Sequence, residues 1–156
     1  MADKIKEAKQ LYNQVIKTLD KLEAEYKTNA DDFTIGLVVG TEDLPVSVAI
    51  KVDADRQFLA MYSHMPFTVK RDPETQLNMA LAICDINDKS WFGVFDYDIK
   101  SGEILLRMIS HYSDSILSPE VIRRMLLIAI QDANKYNDRL YLLNEGKISV
   151  EQVTED

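Results

Sequence analysis

Between residues 33 and 64 the sequence alternates apolar and polar positions, broken only by short polar connections. Phe33, Ile35, Leu37 and Val39 share one side of an extended chain, and Val46, Val48, Ile50 and Val52 share one side of the next. After Asp53-Ala54-Asp55 a third strand runs from residue 56 to about residue 64, with Phe58, Ala60 and Tyr62 on one face and Leu59 and Met61 on the other. Connections this short force neighbouring strands to run antiparallel, which predicts a three-stranded meander.

A second pair of strands is predicted between Trp91 and Tyr112, turning where Gly102 follows Lys100-Ser101. Glycine there suits a left-handed turn position, where a side chain would cost about 1 to 2 kcal/mol. Two helix starts share one chemistry. In Asp72-Pro73-Glu74 and in Ser118-Pro119-Glu120 a capping side chain precedes a proline at the first helical position and an acid at the positive end of the dipole. The helix opened at Ser118 has Ile122, Met125, Leu126, Ala129, Ala133, Tyr136 and Leu140 on one face. Leu127 falls on its polar side and is expected to be exposed or in a contact.

The first helix is predicted from residue 4 to about residue 27. Ile5, Ala8, Tyr12, Val15, Leu19, Leu22 and Tyr26 recur in steps of three and four, and Thr28-Asn29-Ala30-Asp31-Asp32 ends the pattern. The middle helix, ending near residue 88, is different. At about 100° per residue, Leu77, Ala80, Leu81 and Cys84 form one face and Met79, Ala82, Ile83 and Ile86 the opposite one. A surface helix needs one apolar stripe, so this one is expected to be covered on both sides.

The bulk properties narrow the function. A chain of 156 residues fits one domain. Eighteen Lys and Arg against twenty-six Asp and Glu give a net charge of -8, which repels a phosphate backbone and sets nucleic acid aside as a partner. Cys84 is the single cysteine, so no intrachain disulfide forms. The opening residues have charge and helical periodicity where a signal peptide would carry an apolar core, and the longest apolar run, residues 125–130, is far short of the ~20 residues of a membrane span. These features predict a cytoplasmic protein without a membrane partner.

Signals for chemistry are weak. His64 and His111 lie near the ends of the predicted third and fifth strands and could approach each other, yet neither belongs to a cluster with metal-ligand spacing. Asp53-x-Asp55 and Asp96-x-Asp98 are read as carboxylates capping hairpins rather than a cation site. Cys84 lies on an apolar helix face as a small hydrophobe. Phosphate-loop, zinc-protease and nucleophile-elbow motifs are absent, so neither a catalytic residue nor a metal or cofactor site is assigned.

Met65-Pro66-Phe67-Thr68-Val69 after the third strand, Asn87 at the end of the middle helix, Phe92-Gly93-Val94-Phe95-Asp96-Tyr97 with the Ser101-Gly102-Glu103-Ile104 turn, Arg107, and Leu117-Ser118-Pro119-Glu120 appear in an order and spacing that resembles the YbjN-like family of bacterial sensory transduction regulators. The resemblance covers residues 56–140 and implies the fold of the class I type III secretion chaperones. It implies a non-enzymatic protein-binding module, chaperone-like or regulatory. Such a module would be homodimeric through the middle helix and able to hold an extended segment of another protein on the first helix and sheet. The expected architecture is therefore α+β, one antiparallel five-stranded sheet flanked by helices in the order α-β-β-β-α-β-β-α, with a domain over residues 1–146 and a short acidic tail, residues 147–156, that frays. Met79, Ala82, Ile83 and Ile86 are the expected dimer interface, and Tyr12, Val15, Leu19, Leu22 and Leu127 the expected partner-binding surface. The alternative is a small-molecule or metal sensor using the sheet face.

Overall fold

The computed structural model describes residues 2–40, 44–113, 115 and 117–155. Its elements are α1 (Ala2–Lys21), β1 (Tyr26–Asn29), β2 (Thr34–Val39), β3 (Val46–Asp53), β4 (Phe58–His64), α2 (Pro73–Lys89), β5 (Val94–Tyr97), β6 (Ile104–His111), α3 (Pro119–Asn144) and α4 (Val150–Thr154). The α+β class and the antiparallel sheet are as expected. The sheet has six strands rather than five, in the order β1-β2-β3-β4-β6-β5, and the element order gains a strand after α1 and a helix at the end.

The extra strand comes from an early helix end. α1 stops at Lys21, where the Leu22 and Ala24 amides fold back onto the carbonyls of Thr18 and Leu19 and Glu23 takes a left-handed φ of 53°. The chain reverses there, and Tyr26 starts β1 with its hydroxyl donating to Asp20 at 2.5 Å. Tyr26 keeps the helical spacing of the stripe but is half-buried from a strand. Only one of the four β1 residues is shielded, so no alternation marks the strand in the sequence.

The meander forms as the alternation requires. Ile35 and Leu37 pair with Ile50 and Val48, which pair in turn with Met61 and Ser63, and Met108 and Leu106 continue these rows on β6. These side chains form the buried face, over which α3 and α1 lie. Ser63, the polar member, donates to the Ala129 carbonyl of α3 at 2.9 Å. Every α3 position on the expected apolar face is buried.

Segment 65–70 is stitched to both neighbours. The Met65 and Val69 amides donate to Ile104 and Gly102, and the Asn144 side chain takes the Lys70 amide at 2.9 Å while donating to the Thr68 carbonyl at 3.2 Å. Gly102 has φ 81°, and a Cβ there would stand 3.0 Å from the Val69 carbonyl, so both its backbone and the close approach demand glycine.

Within the tail the described residues include a further helix. Residues 150–154 form α4 behind a Ser149/Gln152 capping box, Val153 is fully buried, and Arg139 donates to the Val153 and Glu155 carbonyls. Thr154 donates to Asp85 of α2. One buried valine and two side-chain anchors hold a helix far too short to persist alone.

Candidate interaction surfaces

The sequence divides α2 into two apolar faces, and the structure decides which one is inside. Met79, Ala82, Ile83 and Ile86, the expected dimer interface, are 5% exposed or less and pack in the core. A second chain cannot touch atoms that the first chain already encloses, so that assignment is corrected. The face expected on the sheet is instead the outer one: Leu77 is 60% and Leu81 50% exposed, and Cys84 is exposed beside them. At the helix exit come Trp91, 91% exposed, and Phe92, 71% exposed. Glu74 and Asp88 fall in phase with Leu77, Leu81 and Cys84 and are exposed as well. The inner stripe meets a charge only at the helix end, in Lys89, and that contrast was available in the sequence.

The expected partner-binding surface is corrected in the same way. Tyr12, Val15 and Leu19 are buried beneath α1, because the helix spends its stripe on α3 and the sheet. Leu22 remains exposed at the helix end and Leu127 is half-buried.

The sheet itself presents the larger open surface. Its outer face carries Val38, Ser47, His64, Leu105 and Asp96 in one cross-strand row and Lys27, Gly36, Ala49, Tyr62, Arg107 and Val94 in the next. Val38, Val94 and Ile109 on this face are substantially exposed. Gly36 and Ala49 leave a shallow floor, so that Lys27, Val38, Ser47 and His64 rim a groove of about 550 Å³ across β1, β2 and β3. A second hollow, about 580 Å³, lies between α1 and Tyr112, Ser115 and Leu117, where Gln14 donates to the Leu117 carbonyl at 2.5 Å.

Charge on the open face is largely paired. Arg107 donates to Asp96 through Nε at 2.5 Å and Nη2 at 3.2 Å, a bidentate contact that raises the guanidinium pKa further, chiefly through the hydrogen bond. Asp53 accepts the Arg56 amide and Asp98 the Lys100 amide, so both cap turns, while Asp96 serves Arg107. The histidines do not meet. His64 lies opposite Leu105 and His111 opposite Phe58, which puts them six residues apart along β4, or roughly 20 Å. The antiparallel pairing of β4 with β6 is the reason. Among the described residues no group of three or more His, Cys, Asp or Glu is placed to hold a metal ion, and no helix is long and apolar enough to cross a membrane.

The two edges of the sheet differ. At β5 the Asn87 side chain of α2 accepts the Phe95 amide at 2.8 Å and donates to the Phe95 carbonyl at 2.9 Å, and Ser90 donates to the Gly93 carbonyl at 2.7 Å. Among the described residues no side chain bonds the outer backbone groups of β1.

The chain matches the YbjN family, described as "Putative bacterial sensory transduction regulator", over residues 12–142. No curated protein matches it. Among solved structures it is similar to a chain of the ExsC-ExsE complex, with TM-score 0.59, 11% identity, 84% of this chain and 93% of that one covered. It is also similar to a chain of the HopA1-SchA chaperone-effector complex, with TM-score 0.54, 15% identity and 78% and 88% covered. YbjN of E. coli, described as "a putative transcription regulator", superposes with TM-score 0.56, 12% identity and 78% and 84% covered. At these identities the structural likenesses speak for the fold, while the family match spans most of the sequence: this chain belongs to the YbjN family.

Proposed function

We propose that this protein is a non-enzymatic protein-binding module that pairs with a second copy of itself through the outer face of α2 and holds an extended segment of another polypeptide on the open sheet face. The observation that carries the reading is the line of large apolar side chains on α2 and its exit, Leu77, Leu81, Trp91 and Phe92, each at least half exposed. Apolar surface gathered on one element rather than scattered is what a partner covers. A two-fold contact would use the same face twice. Two of the similar folds come from complexes, one of them titled a chaperone-effector complex, which supports a polypeptide as the second partner.

Leu81→Asp tests the pairing without disturbing the core. Wild-type protein is expected to scatter light as a dimer with a melting temperature that rises with protein concentration, and the variant as a monomer that still melts cooperatively at a temperature independent of concentration. A monomeric wild type, or a variant that remains dimeric, rules out pairing through this face. The second partner is tested with Val38→Asp, which charges the rim of the β1–β3 groove: a polypeptide captured by wild-type protein should be lost from this variant while dimer mass is kept.

A further inference from the structure

An edge strand exposes unpaired backbone donors and acceptors to any other strand, and folded proteins block such edges with charge, proline or a covering element. β5 is four residues long, Val94, Phe95, Asp96 and Tyr97; it has no proline, its one charge, Asp96, is engaged by Arg107, and exposed Trp91 and Phe92 precede it. Alternate residues of an antiparallel strand turn both backbone groups outward. On β5, Phe95 is such a residue, since its amide and its carbonyl are both taken from outside the sheet by Asn87. A carboxamide has one acceptor oxygen and a donor nitrogen on one planar group, so it can occupy the place of a neighbouring strand's peptide. Ser90 satisfies the preceding outward carbonyl, that of Gly93. A Cβ at Gly93 would stand 2.6 Å from Leu106 Cδ1 and 3.3 Å from its Cγ, so a larger residue there would push on the buried Leu106 side chain.

We infer that Asn87 and Ser90 form a lock that keeps β5 from pairing with the β5 edge of a second copy. The lock is read from the edge alone and does not depend on the pairing proposed for α2. Its position at the C-terminal end of α2 also ties that helix to the sheet: Phe95 is held through its backbone by Asn87 and through its ring by Tyr136, at 5.6 Å and nearly perpendicular. The next residue, Asp96, holds Arg107 on the open face.

The test is made in a Leu81→Asp background, so that contact through α2 does not interfere. Asn87→Ala with Ser90→Ala is expected to raise the exchange rate of the Phe95 amide roughly tenfold at low protein concentration. As concentration rises the variant should dimerise and the Phe95 amide should regain protection, whereas the parent stays monomeric at every concentration. A variant that stays monomeric over the same range, or whose Phe95 amide exchanges no faster than in the parent, overturns the inference. Asn87→Asp keeps the acceptor for the amide but sets a carboxylate against the Phe95 carbonyl, and is expected to dimerise less than the alanine pair. Should the variants not fold, the wild-type protein still decides: the Phe95 amide must exchange more slowly than the outward amides of β1, and equal rates refute the lock.

Discussion

The two faces of α2 have nearly the same composition and opposite fates. Met79, Ala82, Ile83 and Ile86 lie against β5, α3 and the core, while Leu77, Leu81 and Cys84 look outward. Periodicity separates the two sets without saying which is inside, because both satisfy the same helical geometry. What separates them is company. The outer set is in phase with Glu74 and Asp88, whose charges resist burial, and the inner set meets a charge only in Lys89, the last residue of the helix. The same helix meets the sheet edge through Asn87 and α4 through Asp85, so four surroundings can be compared on one element.

The sharpest way to break the comparison is Ile83→Asp. At the inner face it buries an unpaired carboxylate, which should destabilise the fold by about 4 kcal/mol or more and leave little folded protein in thermal melts. Truncating the same face is gentler: Met79→Ala should cost about 2 to 5 kcal/mol in denaturant titrations, depending on how far the core closes over the cavity. On the outer face, Leu77→Ala made in the monomeric Leu81→Asp background should stay within about 0.5 kcal/mol of its parent in the same titration. Equal losses at Met79 and Leu77 would mean that the two faces are not distinguished as described.

The smallest effect concerns pH. The Asp85 carboxyl is held below its ordinary pKa, first by the Thr154 hydroxyl and then by Lys89. A carboxylate depressed in the folded state contributes stability above its ordinary pKa and loses it as pH falls through the folded value. Acidification below that range should therefore loosen α4 before the rest of the fold, seen as faster exchange at the Val153 amide, and Asp85→Asn should flatten that pH dependence. Exchange that is independent of pH in the wild type would remove Asp85 as an anchor.

Much of the fold was legible. The alternation in residues 33–64, the caps at Asp72 and Ser118 and the left-handed turn at Gly102 all appear where the local chemistry places them. β1 was hidden because three of its four residues are exposed and polar, and Tyr26 fitted a helical stripe equally well. α4 was hidden because the three apolar residues of KISVEQVTED, Ile148, Val150 and Val153, are too few to show a helical period; its stability comes from their packing on the core and from Arg139 and Asp85, which lie on other helices. The surfaces were the least legible part. Tyr12, Val15 and Leu19 are as apolar as any docking stripe, and only the presence of α3 and the sheet above them shows that they are already covered.

The sequence by itself determined most of the local elements, the antiparallel direction of the meander and the capped starts of α2 and α3, because each depends on residues a few positions apart. The tertiary structure alone decided what covers the α1 stripe, how far apart the two histidines lie and which sheet edge is closed. Each of these depends on contacts between residues distant in the chain. Asn87 makes the difference plain: as a residue it only ends a helix, and its second role exists because the fold brings β5 alongside it.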